Sequence, residues 1–210
     1  MKKGIKIVIQ VVLAVVIVAL AYIVTEQIMG PLRFEKAVAS RSAAVIDRIK
    51  DIRSAERAFK QKHKRYTGDF DSLIQFVLTD SIEYERKIGS ADDSVAVAKG
   101  LVRTEKFTKA IIDTVFGAKK LTPDQVRQLR FVPFAPEGTE FILNAGMFTT
   151  ESKVVVPVFE AKAPYKFFLG DLDHQELVNL VDEAKNVYNK YPGIKVGALD
   201  QATNDAGNWE

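Results

Sequence analysis

Residues 7–24 form one unbroken apolar run in which Gln10 is the single polar side chain. As a helix the run rises about 27 Å at roughly 1.5 Å per residue. That nearly spans a hydrocarbon core of about 30 Å, and Ile5, Ile28 and Met29 extend the match. A transmembrane anchor over residues 1–29 is therefore expected. Lys2, Lys3 and Lys6 precede or open it. Positive charge before a span predicts a cytoplasmic N-terminus, with everything after Val24 outside. Ala19-Leu20-Ala21 also fits a signal-peptidase site. Cleavage after Ala21 is thus the competing reading. Two facts favour an uncleaved anchor. The run continues through Tyr22-Ile23-Val24, and it exceeds the roughly 7–15 residues of a signal h-region. Both readings put the rest of the chain in a bacterial periplasm, and the anchor reading puts residues 1–29 in the inner membrane.

Residues 30–210 are enough for one extracytoplasmic domain with its own core. The chain is 47% hydrophobic and 27% charged, without repeats, which predicts a folded body rather than a tail. It contains no cysteine, which removes disulfides, thiol nucleophiles and Cys-based zinc sites. The net charge of +3 gives no reason to expect nucleic acid. Charge is unevenly placed, however. Residues 33–65 hold eleven Lys/Arg against four Asp/Glu, and residues 171–210 hold three Lys against eight Asp/Glu. The two segments are able to attract each other, within a molecule or between molecules. The simplest expectation is two solvated faces of opposite sign.

Gly30-Pro31 is expected to break or kink the helix just outside the membrane. A second, amphipathic helix is then predicted over residues 33–62. Val38, Val45, Ile52 and Phe59 recur every seven residues, with Phe34, Ser42, Ile49 and Ala55 beside them. Ser42 and Glu56 weaken the stripe as a coiled-coil seam, so it is expected to pack on a sheet of its own domain. Asp69 or Asp71 is placed to cap a short helix over residues 70–78. Strand patterns follow at Ile82, Tyr84 and Ile88, at Val95 and Val97, and over residues 140–144, 153–159 and 163–169. Short connections favour antiparallel pairing, giving a sheet over about residues 82–169. Thr122-Pro123-Asp124-Gln125 is a complete helix start, and the helix ends near Arg130. A final helix is predicted over residues 172–191. Its core stripe is Leu177, Leu180, Val181, Ala184, Val187, Tyr188 and Tyr191, and Asp173 with Glu176 forms its capping box. Residues 192–210 read as a tail. The fold class is α+β: a transmembrane helix continuing into a long amphipathic helix on a mostly antiparallel sheet, with a C-terminal helix.

One stretch resembles a known family. Ile52-Arg53-Ser54-Ala55-Glu56-Arg57-Ala58-Phe59-Lys60-Gln61-Lys62 runs into Arg65-Tyr66-Thr67-Gly68-Asp69-Phe70-Asp71-Ser72-Leu73. Behind an apolar anchor, residues 5–75, about a third of the chain, resemble the N-terminal region of type IV pilins and of the pseudopilins of type II secretion. There, such a helix enters a basic-Tyr turn before an antiparallel sheet. The pattern departs at its start. Gly4 is followed by Ile5, Lys6, Ile7, Val8 and Ile9, without the phenylalanine-led run and its glutamate. The resemblance therefore implies a pilin-shaped, uncleaved subunit without the prepilin-peptidase motif.

No nucleotide-binding, nucleophile-elbow or zincin motif occurs in the sequence. His63 lies in a basic cluster and is expected to face solvent. His174, with Asp171, Asp173 and Glu176, reads first as a helix N-terminus. These readings give a non-enzymatic envelope protein of secretion, motility or surface machinery, working in an oligomer or multiprotein complex. Its partners would be the membrane and other envelope proteins, with no cofactor, metal, nucleic acid or small-molecule substrate expected. The interaction candidates are Arg41, Arg48, Arg53, Arg57, Lys64, Arg65, Tyr66, Phe131 and Phe134. The alternative is an exported periplasmic ligand-binding or enzymatic domain, with its site near residues 171–176 or 131–136.

Overall fold

The computed structural model describes residues 3–88 and 103–210. The expected α+β architecture is present. A single helix, α1 (Lys3–His63), runs from the apolar segment into the domain without interruption. The expected break at Gly30-Pro31 does not occur. Proline removes one ladder hydrogen bond and its ring crowds the carbonyl one turn back, yet Pro31 lies inside α1. Gly30 lacks the Cβ that a proline ring also meets, which removes one of the clashes.

The second half of α1 buries its stripe. Val45, Ile49, Ile52 and Ala55 are fully buried, with Phe34, Ala58 and Phe59 nearly so. Each large aliphatic side chain buried this way contributes about 1.5–3 kcal/mol. The stripe packs on strands β4 (Val155–Pro164) and β5 (Gly193–Gly197). With β3 (Ile142–Thr149) these form one antiparallel sheet in the order β3-β4-β5. Leu143, Ala161 and Val196 lie in one row across it, and Ala163 faces Ile194. Ala161 and Ala163 are fully buried, and their small side chains on the central strand let the helix approach closely. A single sheet ending near residue 169 is not what forms. Residues 163–169 are not a strand of their own: β4 ends at Pro164, and Tyr165–Phe168 makes a helical turn, α5. The third strand comes instead from beyond the C-terminal helix.

The helix α2 (Phe70–Thr79) is capped by Asp69, whose carboxylate accepts the Ser72 N–H at 2.8 Å. It buries Phe70, Leu73, Phe76 and Val77 against the core. A separate antiparallel hairpin follows, β1 (Ser81–Ile88) with β2 (Arg103–Ala110). Val95 and Val97 lie outside the described residues. The short helix α3 (Ile111–Val115) then buries Ile111. Helix α4 (Pro123–Arg127) carries the full capping box expected of Thr122 and Gln125, and a 3₁₀ turn over Gln128–Arg130 follows it.

The last helix, α6 (His174–Asp182), is capped by Asp173, which accepts the Glu176 N–H at 3.0 Å. It is shorter than expected. At Glu183–Val187 it widens into a π-turn. Leu177 and Leu180 pack on the core, but Val187 is 70% exposed and Tyr188 57%. The extra residue in a π-turn shifts the phase of the helix, so the far half of the expected stripe turns outward. Residues 198–210 are not a free tail. Gly197 N–H donates to Ala206 O, Asn208 N–H donates to Lys195 O, and Trp209 packs against the core.

Candidate functional site

The N-terminal half of α1 offers an apolar surface to solvent. Side chains from Ile5 to Leu32, among them Val8, Val18 and Tyr22, are about half to two-thirds exposed. Among the described residues this is the one helix long and apolar enough to cross a membrane. The segment ends in polar chemistry. Thr25 Oγ1 donates to Ala21 O at 2.8 Å, and Arg33 pairs with Glu26 at 3.0 Å. The chain is thus a candidate single-span protein whose span and domain share one helix.

The basic face of α1 is only partly solvated. Lys50 is exposed, but Arg41, Arg53 and Arg57 clasp the acidic C-terminal segment, so the two opposite charge blocks meet within one molecule. Arg41 donates to the Asp171 carboxylate and, at 2.8 Å, to Phe168 O. Asp171 holds the guanidinium firmly charged, and Arg41 holds the Asp171 carboxyl below its ordinary range. Arg48 donates to Gln128 O. Arg53 donates to Asp205 O at 3.2 Å and to Glu210 Oε1 at 2.6 Å. Arg57 donates through Nε to Asp205 Oδ2 at 3.0 Å, and to Asn204 O.

Tyr66 closes the same clasp. Its ring is buried against Phe159, with centroids 4.7 Å apart. Its hydroxyl donates to Asp205 at 2.8–2.9 Å and accepts from Lys60 Nζ at 3.1 Å. Burial, then the neighbouring Asp205 carboxylate, push the phenol pKa well up. Asn204 and Asp205 both adopt positive φ, 52° and 60°. Asn and Asp tolerate that region better than most residues, and the turn aims the Asp205 carboxylate back at the helix.

Beneath the clasp lies Glu56, fully buried in the stripe. Its Oε2 accepts the Thr67 N–H at 3.0 Å, and Oε1 has no partner among the described residues. Burial raises its pKa to about 8, opposed by the Thr67 hydrogen bond and assisted by Asp205. At neutral pH the carboxyl is therefore largely protonated. Sequence reasoning marked Glu56 only as a flaw in a seam. The missing signal was Thr67, eleven residues on, which supplies its donor.

The remaining candidates are dispersed. Lys64 and Arg65 are exposed beyond the helix end. His63 is exposed as expected, with its ring 4.4 Å from that of Phe59. Phe131 is half-buried in a bridge to Glu140. Phe134 is 55% exposed, and the Arg41 guanidinium sits 5.3 Å from its ring centroid. Phe134 and Asp171 thus come together around Arg41, lining a depression with Lys166 and Phe167. The two segments considered for a ligand site are neighbours there, but Arg41 is already satisfied by protein groups. His174 is exposed at the start of α6. Among the described residues no group of three or more His, Asp or Glu side chains is placed to hold a metal ion.

No protein family, curated protein or solved structure matches the chain.

Proposed function

We propose that this chain is a single-pass bacterial envelope protein that acts through protein–protein contact, as a pilin-shaped structural subunit. Its N-terminus would lie in the cytoplasm and its domain in the periplasm. The observation that carries this reading is the continuity of α1. One helix presents apolar side chains to its surroundings over its first half and buries its stripe in the domain over its second. A helix built this way transmits position from the bilayer to the domain without a flexible joint, which suits a component of an assembly. The same observation weighs against cleavage after Ala21. A soluble product would keep Tyr22, Ile23, Val24, Ile28, Met29 and Leu32 exposed on a bare helix, an aggregation-prone patch.

The function test is in-cell cross-linking followed by extraction in a mild detergent. The expected result is a cross-linked oligomer or a defined complex with other envelope proteins. A strictly monomeric chain without partners contradicts the reading.

A further inference from the structure

Four aromatic side chains from four separate stretches meet on one concavity of about 310 Å³. Tyr165 opens the turn after β4, Tyr188 ends the π-turn, Tyr191 precedes β5, and Trp209 comes from the C-terminal segment. Glu183 and Lys190 complete the lining with Leu180, Ala184, Ile194 and Asn208. The cradle is held from behind. Asn208 donates to Gly193 O at 2.8 Å and accepts the Lys195 N–H at 3.0 Å. Arg53 lies 5.9 Å from the Trp209 ring centroid.

Two further observations point to a ligand. No described residue hydrogen-bonds to the hydroxyls of Tyr165, Tyr188 or Tyr191, or to the Trp209 indole N–H. None of them is a buried atom without a partner, so these polar ends face water and are open to a ligand. The wall itself is the π-turn Glu183–Val187, followed by Asn189 at φ 48°. π-turns are rare and often occur at functional sites. This one turns Tyr188 out of the core stripe.

The chemistry selects a ligand with an apolar face and a polar edge. Ring faces stack on a flat C–H surface, while hydroxyl and indole donors, Glu183 and Lys190 serve a rim of hydroxyl groups. A cationic ligand fits poorly, because Lys190 Nζ already lies 5.8 Å from the Tyr188 ring centroid. We infer that this concavity binds a neutral pyranose saccharide, with a sugar ring stacked on the tyrosine and tryptophan rings. The volume is at the small end of ligand pockets and holds about one or two sugar rings. The inference is independent of the membrane reading.

Trp209 is the single tryptophan of the chain, so its fluorescence reports this site alone. The full chain, in a polyoxyethylene detergent that presents neither sugar nor cation, is titrated with maltotriose, cellotriose and triacetylchitotriose. Tetramethylammonium and a proline-rich peptide are titrated in parallel. The expected result is a saturable emission change with at least one saccharide. Tyr188→Ala should weaken it about ten-fold, the loss of one stacked ring, with an unchanged circular dichroism spectrum because Tyr188 is exposed. Glu183→Gln should weaken it less. No saturable change with any of the three saccharides overturns the inference. So does saturation by tetramethylammonium or the peptide alone, or a saccharide response that Tyr188→Ala leaves intact.

Discussion

Glu56 places a carboxyl group in a stripe otherwise made of carbon, and burial raises its pKa to about 8. In the unfolded chain a glutamate titrates near 4.3. The folded state therefore binds the proton more tightly. Its stabilising contribution is complete below about pH 4 and is lost as pH rises toward about 8, on the order of a few kcal/mol in all. Glu56→Gln keeps an acceptor for the Thr67 N–H and removes the titration. Urea midpoints should then lie closest to wild type at pH 4 and exceed it at pH 9; parallel profiles for the two proteins would refute this. Tyr66 is the second residue whose single atom matters. Tyr66→Phe deletes the hydroxyl between Lys60 and Asp205 while keeping the ring on Phe159. The expected loss is about 1–2 kcal/mol in the same assay, smaller in a background that already lacks the Asp205 carboxylate.

At the scale of elements, strand β5 depends on a backbone that only glycine accepts easily. Gly197 has φ 71°, and a Cβ there would lie 2.1 Å from Phe159 O. Gly197→Ala should cost more than about 2 kcal/mol, read as a fall in thermal midpoint; an unchanged midpoint would show that β4 and β5 do not pair as described. The same strand explains why the sheet was only partly legible. Gly193-Ile194-Lys195-Val196-Gly197 is five residues bounded by glycines. Its strand character comes from β4 beside it rather than from alternation. The capped helices were legible because Asp69, Thr122 and Asp173 act within three residues of themselves. The α1 stripe was legible because heptad spacing survives any partner. The end of α6 was not, because a 3.6-residue period carries no sign of a π-turn. The clasp was legible as two charge blocks, but the pairing of Arg57 with Asp205 spans nearly the whole domain sequence, and no local pattern encodes it.

The described residues form one long helix, bare and apolar over its first half, with a domain folded around its second half. Removing residues 1–32 takes away the exposed apolar side chains and leaves the buried stripe from Phe34 onward. That truncated chain should purify without detergent and unfold cooperatively, whereas the full chain should need detergent to stay dispersed. Aggregation of both forms would place the apolar exposure elsewhere. The most direct test of the account is the intact mass of the chain recovered from carbonate-washed membranes. The prediction is the full 23.4 kDa species in the membrane pellet. A chain in the soluble fraction, with the residues up to Ala21 missing from its mass, contradicts it.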